Sequence, residues 1–337
     1  MVSDPMVVKP DAFPFSLVLP MRHIIAPLAP AVLLLSLTAC ARLIPATAPV
    51  PSAGSSAAYP AQRVVLSATG QNVGFAQMAD AAARADVVFF GEQHDDDETH
   101  RAELALLTAI GERRGATVVV SLEMFERDVQ PLLDAYLAGG MSEGDFLAQS
   151  RPWPNYAADY RPLVELAKAK GWPVLASNVP RRLAGVVSRK GLIAVDSLPS
   201  TDRAFVAADL QCPKDQYYEN FVAVMGGGHG GAGGAPGPQA AGVRSMTDLF
   251  YESQCVKDET MAESIVRGRR DGAVVVHFTG SFHSDYSLGT VARVTRRLPA
   301  VRTVVVSAVP SPAPAKEKVT EHLAKGQFII MALRTKP

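Results

Sequence analysis

From residue 62 onward, the apolar positions of the chain switch between two kinds of period. Six short runs, Val87–Phe90, Thr117–Leu122, Pro173–Ala176, Ala273–Thr279, Val301–Val306 and Gln327–Leu333, are apolar with few polar breaks. That is the pattern of strands covered on both faces. Between most of them, apolar residues recur at three- and four-residue spacing, which predicts helices over roughly 75–84, 96–113, 126–138, 158–170, 180–189 and 290–297. Buried strands alternating with helices predict an α/β fold, a mainly parallel sheet flanked by helices.

One interval breaks the rhythm. Residues 195–270 contain no strand-like run and predict helices near 201–210, 213–225 and 245–268. They read as a smaller helical insertion domain lying over the sheet. Inside it, "GGGHGGAGGAPGPQAAG", Gly226–Gly242, lacks the apolar content to offset its own ordering and is expected to be disordered. His229 within it therefore reads as part of a spacer and not as a ligand.

The first forty residues follow neither period. "MRHIIAPLAPAVLLLSLTAC", Met21–Cys40, has a basic start and an apolar stretch too short to span a bilayer, so it reads as a signal peptide with Met21 as the natural start. Its Leu-x-Ala-Cys ending predicts lipidation of Cys40, and Ala41 after it, where an aspartate would retain a lipoprotein at the inner membrane, predicts an outer-membrane lipoprotein facing the periplasm. The Pro/Ala/Ser-rich stretch 41–61 is a flexible tether, and 62–337 is the folded part. With Cys40 taken, Cys212 and Cys255 are left in an oxidising compartment, where a disulfide between them is expected.

Composition narrows the function classes. Lys+Arg and Asp+Glu are both 33, so the net charge is zero and broad electrostatic capture of nucleic acid is not expected. No Gly-x-Gly-x-x-Gly, Walker loop, Gly-x-Ser-x-Gly elbow or Cys-x-x-Cys-His is present, which removes the usual nucleotide, serine-hydrolase and covalent-haem signatures.

The candidate chemistry collects after the strands. Gly91, Glu92 and His94 follow the first; Glu123 follows the second; Asn178, Arg181 and Arg182 follow the third; Gly280, His283, Asp285 and Tyr286 follow the fourth. In a parallel sheet all four turns lie at the carboxyl edge, where open α/β folds place their ligands. Asp95–Glu98 read as the acidic start of a helix, His100 as solvated on that helix, and His277 as a core histidine. Three chemistries fit the remaining set. His94 and His283 with carboxylates can hold a divalent metal ion that activates water. Glu92 and His94 can act as base and orienting group without metal. Alternatively, a His or Tyr can ligate haem iron while Arg181 or Arg182 meets the propionates.

Five stretches in order, "VVFFGEQHDD", "SLEMFERD", "LASNVPRR", "QCVKDETMAESI" and "GSFHSDYSLGTVARV", resemble the bacterial haem-binding uptake lipoproteins of the ChaN-like family, over about residues 62–335. The resemblance implies haem as cofactor, held near the crevice between sheet and helical insertion, with two haems stacked face to face in a homodimer and an outer-membrane haem receptor as partner. His283 and Tyr286 are the candidate iron ligands, with Tyr217, Tyr218 and Tyr251 in reserve; His94, Glu92, Asn178 and Arg181 complete the candidate cofactor site. The wider erythromycin esterase and TraB/Tiki groups share the Gly-Glu-x-His and Gly-x-x-His elements. That similarity implies an alternative, a metal-dependent esterase- or peptidase-like hydrolase using Glu92, His94, Glu123 and His283.

Overall fold

The computed structural model describes residues 63–228 and 245–334. The leader, Cys40, the tether, His229 and most of the 226–242 loop lie outside them. The sheet contains β1 (Arg63–Leu66), β2 (Gln71–Val73), β3 (Val87–Glu92), β4 (Val118–Glu126), β5 (Val174–Asn178), β6 (Val274–Gly280), β7 (Thr303–Ser311) and β8 (Phe328–Leu333), in the order β2-β1-β8-β7-β3-β6-β4-β5. All pairs from β8 across to β5 are parallel, whereas β1 is antiparallel to both its neighbours. The six apolar runs thus form the parallel part of the sheet. β1 and β2 are not legible in the pattern because they form an edge, where Gln71 and Asn72 are exposed and no apolar period develops.

The connecting helices are α1 (Phe75–Arg84), α2 (Asp97–Arg114), α3 (Gln130–Leu137), α4 (Glu143–Ser150), α5 (Arg161–Lys170), α6 (Arg181–Lys190), α7 (Ser200–Arg203), α8 (Gln216–Gly228), α9 (Met246–Gly268) and α10 (Gly289–Arg297). Alternation along each strand sends side chains to two cores. Val88, Phe90, Val120 and Phe278 meet Leu106 and Ile110 of α2 and Leu163 of α5. On the other face, Val87, Phe89 and Val275 meet Ala262 and Ile265 of α9 and Val294 of α10.

Two helix expectations shift and one helix is added. The helix expected from 126 begins as α3 at Gln130, because β4 continues to Glu126 across a bulge against β5. α4 was not anticipated from the pattern. The helix expected over 201–210 ends at Arg203; after two more turn bonds, from Phe205 N–H to Asp202 and Val206 N–H to Arg203, the backbone bonds to α9 side chains. Ala207 N–H donates to Thr260 Oγ1, Ala208 N–H to Glu263 Oε2 and Gln211 N–H to Glu259 Oε1, at 3.2, 2.8 and 3.1 Å.

The insertion is tied to the sheet through its own apolar clusters. Val179, Leu183 and Val187 around α6 pack on Val256 of α9. Tyr217 and Phe221 of α8 pack on Tyr251 of α9. A disulfide joins Cys212, ahead of α8, to Cys255 of α9, with the Cα atoms 5.7 Å apart. Among the described residues, no helix is long and apolar enough to cross a membrane.

Candidate functional site

The carboxyl ends of β3, β4, β5 and β6 surround a cavity of about 290 Å³ whose lining includes His94, Glu123, Asn178, Arg181 and His283. Five of the side chains expected after the strands therefore converge on it. Glu92 stands behind them, buried, and its Oε1 accepts a short hydrogen bond from Nδ1 of His94. The β4 bulge explains how Glu123 reaches the group: displaced from the ladder, its Oε2 accepts from Gly280 N–H at 2.9 Å and Thr279 Oγ1 at 2.6 Å. Gly280 also leaves room for His94, whose Nε2 would lie 2.8 Å from a Cβ at that position.

His283 is the electrostatic centre of the cavity wall. Its Nδ1 donates to Asp258 Oδ1 at 2.8 Å, and Nε2 lies 3.4 Å from Glu123 Oε1. The terminal amide of Gln254 is 3.0 Å from the same Nε2. Burial alone would lower the imidazole's pKa, but the charges of Glu123 and Asp258 outweigh it and push His283 up to about 10. Burial would likewise raise Glu123, yet the charge and hydrogen bond of His283 hold it well below the usual carboxylate range. Here His283 is held between two buried carboxylates, with Nδ1 on Asp258 and Nε2 toward Glu123.

Behind Glu92 lies a second ionisable group. His100 was read as solvated; it is 5% exposed instead. It belongs to the inward stripe of α2, with Thr99, Glu103, Leu106, Leu107 and Ile110, and stacks edge-on against Tyr160. Its Nδ1 lies 2.9 Å from Glu103 Oε2 and 3.4 Å from Glu92 Oε2. Tyr160 donates its hydroxyl to Glu92 Oε1 at 2.9 Å. Glu103 is raised well above its ordinary value, first by burial and then by the charge of Glu92. Among the described residues, the three-donor group with metal-ligand spacing is Glu92, His100 and Glu103, which differs from the expected pair of His94 and His283. The acidic run itself starts α2 as expected: Asp96 caps it, accepting from Glu98 N–H at 3.0 Å and Thr99 N–H at 3.4 Å. His277 is a core residue bonded through Nδ1 to Ser121 Oγ at 2.9 Å, and burial lowers it to about 4.

Tyr286 does not share the first cavity with His283. It lines a second one of about 360 Å³ with Tyr217, Val224, Phe282, Leu288 and Lys325, and Phe282 is the wall common to both. Tyr286 is 46% exposed, sits at a left-handed φ of 62°, and its hydroxyl bonds to none of the described residues. The three reserve tyrosines are already tied: Tyr217 donates to Asp258 Oδ2 at 2.6 Å, Tyr218 to Asp248 Oδ1 at 3.0 Å, and Tyr251 to the carbonyl of Pro213. Arg182 pairs with Asp202 at 2.7 Å and lines neither cavity.

Sequence reasoning missed Asp258, Glu103, Tyr160 and Trp153. Asp258 and Glu103 lie on inward helical stripes, and their positions relative to neighbouring apolar residues were the available signal. Trp153, stacked edge-on against His94, follows α4 in an irregular segment that carries no period.

A family model described as "Haem-binding uptake, Tiki superfamily, ChaN" matches residues 78–294. Among solved structures, ChaN of Campylobacter jejuni, described with cofacial haem binding, is 14% identical with a TM-score of 0.60, over 81% of this chain and 97% of that one. A structure described as bacterial protein toxins matches at 17% identity and a TM-score of 0.37, over 70% of this chain and 36% of that one. The type III effector HopBA1 matches at 12% and 0.35, over 76% and 91%. No curated protein matches the sequence.

Proposed function

Because the chain belongs to the ChaN family of haem-binding uptake proteins in the Tiki superfamily, we propose that it binds haem in the second cavity, with Tyr286 as the iron ligand. One observation carries this reading: Tyr286 is a half-exposed tyrosine with an unbonded hydroxyl, held in a backbone conformation that bulky residues rarely adopt, beside an apolar wall. Phe282, Leu288 and the 61% exposed Val224 supply that wall, and Lys325 lies at its edge for a propionate, although it also pairs with Asp285 at 3.1 Å. A tyrosinate favours ferric iron. Bound there, haem provides the iron that the uptake function delivers, and the chain's part is to cover one face and hold the metal. The other face stays open to a second copy, which is how a homodimer with stacked haems would form. Lipidation at Cys40 would hold the protein at the outer membrane, on the periplasmic side, where an outer-membrane haem receptor can hand over its cargo.

Titrating the purified full chain with hemin tests the proposal. A saturable Soret shift is expected, weakened at least roughly tenfold, about 1.4 kcal/mol, in Tyr286→Phe. The absence of a shift at micromolar hemin would refute haem binding, and an unchanged Tyr286→Phe titration would refute the ligand.

The first cavity supports a second reading. The hydrogen bond from His94 Nδ1 to buried Glu92 fixes the ring with Nε2 beside Gly280 and the cavity. A base oriented by a carboxylate can take a proton from water, and the neighbouring His283 cation can stabilise a developing oxyanion. Hydrolysis of a panel of ester and peptide substrates that disappears in His94→Gln would support this reading; no turnover in the wild type would remove it.

A further inference from the structure

We propose that Glu92, His100 and Glu103 form a binding site for a divalent transition-metal ion, buried behind the cavity wall between β3 and α2. The inference depends on neither the haem reading nor the hydrolytic one, and neither His100 nor Glu103 lines the first cavity. One donor atom from each residue lies within 4.8 Å of the others, and the three residues are 1%, 5% and 0% exposed.

Two features distinguish the group from a chance acidic cluster. First, Glu92 Oε2 and Glu103 Oε1 are buried without a hydrogen-bond partner. Leaving a buried carboxylate oxygen unsatisfied is costly, and a cation satisfies both. Second, the surroundings already hold each donor in a ligating orientation. Glu92 Oε1 is occupied by Tyr160 and His94, which leaves Oε2 to face His100 and Glu103. His100 turns Nδ1 to the carboxylates, while Nε2 points to the carbonyl of His94 at 3.3 Å and to Asp159 Oδ2 at 3.6 Å. Metal-ligating histidines commonly use the second nitrogen in this way, donating to a carbonyl or carboxylate that fixes the tautomer.

Charge balance favours the same occupant. No Lys or Arg among the described residues pairs with Glu92, Glu103 or Asp159. Glu92, Glu103 and Asp159 face only the imidazoles of His94 and His100 here, and a divalent ion would add the positive charge that no Lys or Arg supplies. One nitrogen and two or more carboxylate oxygens suit Mn²⁺, Fe²⁺ or Zn²⁺ better than the all-oxygen preference of Ca²⁺. The competing occupant is a proton shared between Glu92 and Glu103.

The test uses metal-stripped full-length protein titrated with Co²⁺ and Mn²⁺, followed by visible absorption and calorimetry. One saturable equivalent is expected. Losing an outer-shell partner costs metal affinity roughly 10–100-fold, so Tyr160→Phe should fall in that range and Glu103→Gln should lose at least about a hundredfold. Crystals of the wild type soaked in Mn²⁺ should show an anomalous peak between Glu92, His100 and Glu103, a readout that stands even if a variant fails to fold. Absence of saturable binding would identify the shared proton as the occupant and overturn the proposal. So would a peak elsewhere, or binding that is lost in Glu123→Gln but kept in Glu103→Gln.

Discussion

Asp258 Oδ1 lies 2.8 Å from Nδ1 of His283, and both residues are buried. The bond joins α9 of the insertion to the turn after β6, so the same contact ties the helical part to the sheet and sets the charge of the cavity wall. Asp258 is lowered from its ordinary value because the charge of His283 and its hydrogen bond outweigh burial.

A pH dependence follows. His283 has a folded pKa raised to about 10, above the unfolded imidazole value of about 6.5. The stability it contributes is therefore complete below about pH 6.5 and lost as pH rises through about 10. Glu123 and Asp258 are lowered, so their contribution is present above their unfolded values near 4 and is lost on acidification. Denaturant midpoints should be highest between the unfolded carboxylate and imidazole values, about pH 4.5 to 6.5, and decline from there toward pH 10, and His283→Gln should flatten the alkaline arm. An alkaline decline of the same size in that variant would refute the assignment.

The sheet was legible because its central strands are apolar throughout, and His94, Glu123, Asn178, Arg181 and His283 were legible because parallel strands bring their ends together. His100 and Glu103 were not, because a polar residue on a helix reads as solvated unless its place on the stripe is weighed. On α2 these two share the inward face with Leu106, Leu107 and Ile110. Tyr286 was legible as a candidate but not as a neighbour of a different cavity, since no glycine marks the left-handed backbone at Tyr286 and Ser287.

Reduction of the Cys212–Cys255 disulfide releases a loop with a sequence separation of 43. Chain entropy for a loop of that size corresponds to about 4 kcal/mol. Unfolding by denaturant with and without reductant should show a loss of that order, and Cys212→Ser should reproduce it. Equal midpoints under both conditions would mean that the bridge does not constrain the unfolded chain.

Two glycines at strand ends respond differently to a methyl group. A Cβ on Gly91 would lie 2.4 Å from Ser284 Oγ and 3.0 Å from the Ser281 backbone, so part of the clash is with main chain that cannot rotate away. Gly91→Ala should cost about 1–3 kcal/mol. The three atoms nearest a Cβ on Gly280 all belong to the ring of His94, the first at 2.8 Å, and that side chain is 43% exposed and can swing out. Gly280→Ala should keep most of its stability while His94 loses its bond to Glu92, visible as a shifted imidazole resonance in NMR. Equal destabilisation by the two substitutions would contradict this ranking.

Tyr217 extends the Asp258 connection to α8. Its buried hydroxyl donates to Asp258 Oδ2 at 2.6 Å, opposite the oxygen used by His283, while its ring packs against Phe282 with centroids 4.9 Å apart. Tyr217→Phe keeps the ring and its packing but removes one donor from a buried carboxylate. Hydrogen bonds to charged groups contribute about 1.5–3 kcal/mol, and an oxygen left unsatisfied puts the cost toward the upper end. Because Thr290 Oγ1 also donates to Asp258, at 2.8 Å, the carboxylate retains two partners and the fold should survive. Equilibrium unfolding of Tyr217→Phe should show that loss, and the Tyr217→Phe/His283→Gln double mutant should lose less than the sum, since both substitutions act on one carboxylate. Strict additivity would show that the two residues stabilise the fold independently.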